Sequence, residues 1–209
     1  MEETAKSRPA TFTDFLRVRF KGKLDPAAKF LNDLGLMPNV VTIIGLIGNV
    51  VAAGLLAVGQ ITWGGVIVLL MGPVDALDGT MARLRGQPSR FGAFVDSVTD
   101  RYSELVILLG LLVHFLRTDN PLFAGLVYLA AAGSVLVSYV KARAESLDFE
   151  AKTGLMTRVE RYLVLAPCLV FNIPAVAVAI LAVLANFTAL QRIFAVRRQA
   201  YEQHATHNK

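Results

Sequence analysis

The chain has 209 residues, of which 55% are hydrophobic and only 18% are charged, and its mean hydropathy is +0.53. Since a soluble domain carries roughly 25% charged residues, the composition excludes an ordinary soluble enzyme and indicates an integral membrane protein. At this hydropathy the net charge of +5 favours anionic lipid head groups over nucleic acid as the binding partner.

The first element is predicted ahead of the membrane. Residues 11–36, "TFTDFLRVRFKGKLDPAAKFLNDLGL", place Phe and Leu among basic residues at near-helical spacing. This pattern predicts an amphipathic helix that lies on the cytoplasmic leaflet, with a solvated basic linker as the alternative. We therefore assign residues 1–38 to a cytoplasmic N-terminal segment.

Six apolar segments follow, most of them near the roughly 20 residues that a bilayer requires. They lie near residues 40–58, 62–82, 92–116, 121–142, 159–173 and 174–196. The last two are divided by Pro174, which lacks a backbone donor and breaks a helix; one span over 162–184 is the alternative. The sequence predicts an all-α integral membrane protein with six transmembrane helices in residues 39–197 and a polar tail at 198–209.

Positive charge alternates between the connections. Lys and Arg are frequent before the first segment and after the second, fourth and sixth, whereas the connections at 59–60, 117–120 and 172–174 contain a single arginine. Since Lys and Arg accumulate on the cytoplasmic side, we expect a multi-pass protein of the cell (inner) membrane with both termini in the cytoplasm. The acidic segment described next then faces the cytoplasm.

Four aspartates cluster in residues 75–100, "DALDGTMARLRGQPSRFGAFVDSVTD", where the second segment ends and the third begins. Asp75 and Asp78 are three residues apart and Asp96 and Asp100 four apart, so each pair shares one face of a helix. A tight connection would bring the pairs together, where like charges need a neutralising cation. All-oxygen donors suit Mg²⁺ first and Mn²⁺ or Ca²⁺ next, and two ions would balance four carboxylates.

Small residues and an arginine accompany the aspartates. Gly79, Ala82 and Gly92 remove bulk beside the acids, and Arg83 follows within about a turn, where it could contact an anionic phosphate. Together they predict a phosphate-ester site. Taken singly, the acids could carry protons or cations in a transporter, the glycines could pack helices, and the arginines could be topology charges.

Eight fixed residues give this stretch a signature, Asp75-x2-Asp78-Gly79-x2-Ala82-Arg83-x8-Gly92-x3-Asp96-x3-Asp100. It resembles the complete signature of the CDP-alcohol phosphotransferases, in which aspartate-bound divalent metal assists an alcohol to displace CMP from a CDP-lipid. The resemblance implies that the four aspartates bind metal and that Asp100 is also the general base. It implies that Gly79, Ala82 and Arg83 line the CDP-lipid site.

Two shorter stretches are similar to one bacterial branch of that family, the phosphatidylinositol phosphate synthases. "LMPNVVTIIG" resembles the Pro-Asp-Val-Val-Thr with which their first span begins, with asparagine in place of the aspartate. A small hydroxyl residue also precedes "RFGAFVD". The resemblance places near the nucleotide Asn39, Val40, Val41, Thr42 and Ser89.

The segment 138–163, "SYVKARAESLDFEAKTGLMTRVERYL", resembles the same branch, in which basic residues bind the phosphate of inositol 1-phosphate. By this likeness the acceptor phosphate would be bound by Lys141, Arg158, Arg161 and, near the C-terminus, Arg192. The alternative is that these residues are topology charges.

The sequence thus predicts transfer of a phosphatidyl group from CDP-diacylglycerol to inositol 1-phosphate, by metal-assisted attack of a hydroxyl on the β-phosphorus. Phosphatidylinositol phosphate and CMP would be the products. The alternatives are phosphatidylglycerol phosphate synthesis or another reaction of the family and, from a different class, a carboxylate-coupled cation transporter. The resemblance further implies a homodimer.

Overall fold

A computed structural model describes residues 24–86, 89–151 and 153–207 of the chain. Over these ranges the protein contains seven α-helices and no strand, which confirms the all-α prediction. The helices are α1 (Asp25–Asp33), α2 (Pro38–Ala57), α3 (Ile61–Leu84), α4 (Arg90–Arg117), α5 (Pro121–Glu145), α6 (Arg158–Val170) and α7 (Pro174–His207).

Four helical segments of the described chain are long and apolar enough to cross a membrane: α2, α3, α5 and residues Pro174–Gln203 of α7. Helix α4 has 28 residues, but its first half is charged. Helix α6 has only 13 residues, fewer than the roughly 20 that span a bilayer. Length and composition therefore support four spans, and the six-span arrangement stays a prediction.

Tight turns pair the helices into hairpins. Each of the turns α2–α3, α4–α5 and α6–α7 contains a residue with left-handed backbone, namely Gly59 (φ 89°), Asp119 (φ 52°) and Asn172 (φ 59°). Helix α6 ends at Val170 and α7 begins at Pro174, a residue suited to a first helical turn. The predicted break at 172–174 is therefore confirmed.

The hairpins pack into one bundle. Helix α5 lies along α7, α2 lies along both α3 and α4, and α6 packs between α3 and α7. The largest apolar core joins six helices, α2 to α7, through buried side chains such as Leu56, Val68, Leu111, Val127, Leu169 and Leu181. This core occupies the end of the bundle with the tight turns. Polar and charged side chains collect beyond it, towards the α3–α4 connection.

Helix α1 is a short helix that packs against α3. Its Ala28 is fully buried with Met81 of α3, and Arg85 donates to the Asn32 side chain at 2.7 Å. The predicted amphipathic helix over 11–36 coincides with α1 in its second half, and residues 11–23 lie outside the described residues. At the other end of the chain, α7 continues to His207 and includes most of the predicted polar tail.

Candidate active site

The acidic end of α3 follows a proline. Pro73 has no backbone N–H, so the Leu69 carbonyl loses its donor within the helix. The Tyr162 hydroxyl of α6 lies 2.7 Å from that oxygen and 2.9 Å from the Val68 carbonyl, and it supplies the missing donor. Gly72 leaves space for the ring, because a Cβ there would collide with Tyr162. This contact holds α6 beside the residues that lead into the aspartates.

The structure brings the four predicted aspartates together. Asp75 and Asp78 lie on α3, Asp96 and Asp100 on α4. Asp78 is 5% exposed and Asp100 9% exposed. Asp96 is close enough to repel each of the other three carboxylates. The two acidic pairs therefore come together as the sequence predicted, although α3 and α4 each pack mainly against α2 rather than against one another.

Arg158, the first residue of α6, lies between the two helices. Its Nη2 atom is 2.9 Å from an oxygen of Asp75 and 2.5 Å from an oxygen of Asp100. The sequence predicted that Arg158 binds the acceptor phosphate, and that role stays a prediction. In this structure its guanidinium neutralises part of the charge of the aspartate cluster.

Helix α2 presents a small and polar face to the cluster. The Thr42 hydroxyl donates to Asp78 at 2.5 Å, and the other oxygen of Asp78 accepts from the Gly79 backbone N–H at 2.5 Å. A Cβ at Gly45 would collide with the Asp75 carboxylate. Thr42, Gly45 and Asn49 recur at helical spacing on this face, a pattern that the sequence analysis did not use.

The described residues contain no group of three or more His, Cys, Asp or Glu side chains arranged to hold a metal ion in this conformation. The donor chemistry nevertheless fits a divalent cation. The cluster offers all-oxygen ligands of the kind that Mg²⁺ and Mn²⁺ prefer, and its carboxylates repel one another. The cation that bridges two of them is the side chain of Arg158, which is 43% exposed. The residues that would hold a metal are Asp75, Asp78, Asp96 and Asp100.

Two of the predicted nucleotide-site residues, Asn39 and Ser89, lie close to Gly92, where α2 and α4 begin. Ser89 caps α4 by accepting from the Gly92 N–H at 2.8 Å. A Cβ at Gly92 would lie 2.9 Å from the Ser89 hydroxyl and 3.6 Å from the Asn39 side chain. Asn39 and Ser89 are exposed here, whereas Val41 and Thr42 are buried.

Three further predicted nucleotide-site residues, Gly79, Ala82 and Arg83, lie near the end of α3, and Val40 lies in the first turn of α2. A Cβ at Gly79 would meet only Arg83, at 3.8 Å, so the space beside this glycine is open. Arg83 is exposed and donates to the Thr80 hydroxyl at 2.9 Å. Ala82 is half-buried and Val40 is exposed.

Arg161 is held by a carboxylate that the sequence analysis missed. Its Nε and Nη2 atoms donate to the two oxygens of Glu104 at 2.6 Å and 2.9 Å, and Nη1 donates to the Met156 carbonyl. The Arg161 side chain is only 2% exposed. Such a two-point pair fixes the plane of a guanidinium. The available signal was spacing, since Glu104 follows Asp100 by one helical turn.

The other two predicted phosphate ligands lie further away. Arg192 is 4% exposed and donates to the Thr153 and Val137 carbonyls at 2.9 Å and 2.6 Å. It is close enough to Arg161 for the two charges to repel. Lys141 is exposed, 3.9 Å from Glu145 on its own helix. Neither Lys141 nor Arg192 lines the cavity that Arg158 and Arg161 share.

That cavity lies between α2, α3, α4 and α6 and has a volume of about 40 Å³. Its charged lining consists of Asp75, Asp100, Glu104, Arg158 and Arg161. Two arginines beside carboxylates can bind an anion and place it next to a proton acceptor. The site is therefore suited to a substrate that carries both a phosphate and a reactive hydroxyl.

Comparison with known proteins agrees with this chemistry. The family model for CDP-alcohol phosphatidyltransferase matches residues 35–199. A phosphatidylinositol phosphate synthase of Mycobacteroides abscessus is 36% identical over 205 residues, which cover 87% of this chain and 86% of that protein. An archaetidylinositol phosphate synthase of Pyrococcus horikoshii is 32% identical, with 88% of this chain and 96% of that protein covered.

Solved structures of the phosphatidylinositol phosphate synthase of Mycobacterium tuberculosis share the fold. The crystal structure with CDP-DAG bound superposes with a TM-score of 0.78 at 31% identity and covers 83% of this chain and 92% of that one. The structure in complex with manganese and citrate has the same TM-score at 32% identity, with 83% and 88% covered.

Proposed function

Because this chain belongs to the CDP-alcohol phosphatidyltransferase family, we propose that it transfers a phosphatidyl group from CDP-diacylglycerol to inositol 1-phosphate. The products are phosphatidylinositol phosphate and CMP. The relatives named for this reaction support the choice of substrates. The observation that carries it is the cavity in which Arg158 and Arg161 lie beside Asp100.

Each chemical role is given to a residue of this chain. Arg161 and Arg158 bind the acceptor phosphate, and Lys141 and Arg192 add positive charge around it. The acceptor hydroxyl attacks the β-phosphorus and loses its proton to the Asp100 carboxylate. The new oxygen–phosphorus bond forms as the bond to CMP breaks, so CMP leaves with the electron pair.

The four aspartates hold the divalent metal, with Mg²⁺ as the first choice and two ions as the expected number. Bound there, the metal stabilises the negative charge that develops on the phosphates. The manganese complex of the Mycobacterium tuberculosis relative supports a divalent ion. Asn39, Val40, Val41, Thr42, Gly79, Ala82, Arg83 and Ser89 line the CDP-lipid site, in which small residues give the nucleotide access to the backbone.

In the membrane, α2 to α7 form six transmembrane helices in a homodimeric protein of the cell membrane. Helices α4 and α6 pack between the four apolar spans, so protein rather than lipid covers much of their polar surface. The cytoplasmic side contains the α3–α4 connection, the basic helix ends on either side of the α5–α6 connection, the C-terminal end and the active site. The family match argues against a carboxylate-coupled cation transporter.

The test is release of CMP by the purified protein with CDP-diacylglycerol, Mg²⁺ and one acceptor at a time. We expect metal-dependent release with inositol 1-phosphate and little with inositol, serine or glycerol 3-phosphate. A preference for glycerol 3-phosphate would overturn the acceptor assignment. Release that persists after chelation of the metal would overturn the role of the aspartates.

A further inference from the structure

Two buried polar side chains outside the predicted site, Ser103 and Asn49, stand in the cavity wall. Ser103 of α4 is 4% exposed, and its hydroxyl has no partner among the described residues. Asn49 of α2 is likewise buried, at 3% exposed, and carries an amide into this wall. Both residues line the cavity beside Asp100 and Glu104.

Such groups are unfavourable unless something binds to them. Buried amides and hydroxyls are nearly always hydrogen-bonded, because each otherwise loses its contacts with water. Asn49 stands in an otherwise apolar run, "TIIGLIGNVVAAG", where a leucine or alanine would suit the membrane better. A polar ligand in the cavity would satisfy both side chains.

Their position in the bundle is one turn deeper than the aspartates. Ser103 and Glu104 follow Asp100 by three and four residues on α4, and Asn49 follows Gly45 by four on α2. The contact between Gly45 and Asp75 fixes α2 against α3. The three polar side chains therefore form a floor below the site of proton transfer, and Arg158 lies above it.

We propose that Asn49, Ser103 and Glu104 bind the hydroxyl groups of the acceptor that do not react. This inference rests on the proposed function and specifies how the acceptor is recognised. The amide can donate and accept, the serine hydroxyl can do either, and the carboxylate accepts from a hydroxyl. A ring polyol phosphate satisfies all three, whereas glycerol 3-phosphate has too few hydroxyls and leaves buried groups unpaired.

Binding of such an acceptor requires one movement. The present cavity of about 40 Å³ holds a few water molecules, which is too little for a sugar-sized ring. Its movable wall is Arg158, which is 43% exposed and contacts Asp75 and Asp100. When Arg158 exchanges these carboxylates for the acceptor phosphate, the space above the polar floor opens.

The chain offers a matched pair of serines for the test. Ser134 of α5 is 1% exposed and its hydroxyl also lacks a partner in the described chain, but it does not line the cavity. Ser103→Ala and Ser134→Ala remove the same atom from buried helical positions. Asn49→Ala is the second cavity variant. Steady-state kinetics would be measured with inositol 1-phosphate and with analogues that each lack one hydroxyl.

We expect Ser103→Ala and Asn49→Ala to raise the KM for inositol 1-phosphate about tenfold while the KM for CDP-diacylglycerol changes little. Ser134→Ala should leave both unchanged. At least one deoxy analogue should be a poor substrate of the unmodified enzyme. The Ser103→Ala substitution should not lower the activity with this analogue further, because the same hydrogen bond is already absent.

Two results would overturn the assignment. One is an equal KM for inositol 1-phosphate in the Ser103→Ala and Ser134→Ala variants. The other is that every deoxy analogue loses as much catalytic efficiency in both cavity variants as it does in the unmodified enzyme. That result would mean that the three side chains bind only water. If the unmodified enzyme released no CMP with any acceptor, the proposed function itself would fall, and that outcome is distinct from both.

Discussion

Asp100 combines burial with contact to a cation. It is 9% exposed, and it shares Arg158 with Asp75. A carboxylate in this position can accept a proton from a hydroxyl of the acceptor when the acceptor's phosphate is bound in the cavity. The charge of its own side chain, rather than its size, is what this role requires.

Asp100→Asn keeps the size of the side chain and removes the base. We expect turnover to fall by a factor of about 10² to 10⁴, the usual contribution of a general base, with binding of CDP-lipid largely retained. The measurement is CMP release together with CDP-diacylglycerol binding. Asp119→Asn, at an exposed turn, is the control, and turnover by Asp100→Asn at the control's rate would remove Asp100 as base.

Arg161 is the buried cation of the acceptor site. Its loss removes charge-assisted hydrogen bonds worth about 1.5–3 kcal/mol. Arg161→Ala should therefore raise the KM for inositol 1-phosphate about tenfold or more, with a smaller effect on CDP-diacylglycerol. The exposed Arg143→Ala is the matched control on α5. Equal effects on both substrates would contradict the assignment to the acceptor.

Arg158 occupies a place where positive charge is needed by Asp75 and Asp100. Because the guanidinium and a divalent ion would bind the same two carboxylates, removal of the guanidinium leaves the ion without this competitor. Arg158→Gln should bind Mn²⁺ several-fold more tightly than the unmodified protein in the absence of substrates, as measured by electron paramagnetic resonance. Arg143→Gln should not change the affinity. Unchanged or weaker binding by Arg158→Gln would show that Arg158 does not compete with the metal.

Single residues differed in how far the sequence revealed them. The aspartates and Arg161 stood in spaced motifs, so their roles could be predicted before any coordinates. Glu104, Asn49 and Gly45 carry no motif, and their importance comes from which helix faces meet. That pairing is a property of the packed bundle, and a single sequence does not display it.

At the scale of the elements, the contact of α6 with α3 matters most. The two helices meet at the Leu69 carbonyl, which Pro73 leaves without a backbone donor and to which the Tyr162 hydroxyl donates. Asp75 follows two residues later, so the same contact positions one of the aspartates. The helix break at Pro174 was predictable from the side chain alone, whereas the partner of Pro73 was not.

Tyr162→Phe tests this contact. It should lower the free energy of unfolding by about 1–2 kcal/mol, because the Leu69 carbonyl is left without a donor. Pro73→Ala restores a backbone N–H to that carbonyl, so Tyr162→Phe should cost less in the Pro73→Ala background. Urea unfolding of the four proteins in detergent gives the interaction energy. Strictly additive effects would contradict the proposed role of the hydroxyl.

Helix α4 shows why span prediction from composition is incomplete. Its charged first half carries the chemistry, and its second half contributes Leu108, Leu111 and Phe115 to the apolar core. Helix α6 has only 13 residues and begins with Arg158 at the cavity. Both helices depart from the composition of a simple span where they supply site residues.

Across the molecule, the two ends of the bundle have different roles. An apolar core lies at one end and the polar cluster lies at the other. The core holds α2 to α7 together, and the cluster lies towards the α3–α4 connection. The fold class and the family were predictable, because hydropathy and a spaced signature can both be read from the linear sequence. The cavity was not, since it draws on four helices that are far apart in sequence.

Identification of the lipid product tests the proposed transfer reaction most directly. Purified protein would be given CDP-diacylglycerol, Mg²⁺ and equal concentrations of inositol 1-phosphate and glycerol 3-phosphate, and the extracted lipid would be analysed by mass spectrometry. We predict phosphatidylinositol phosphate as the main product, formed only with metal and absent in the Asp100→Asn variant. Phosphatidylglycerol phosphate as the main product, or no new phospholipid, would contradict the proposed transfer to inositol 1-phosphate.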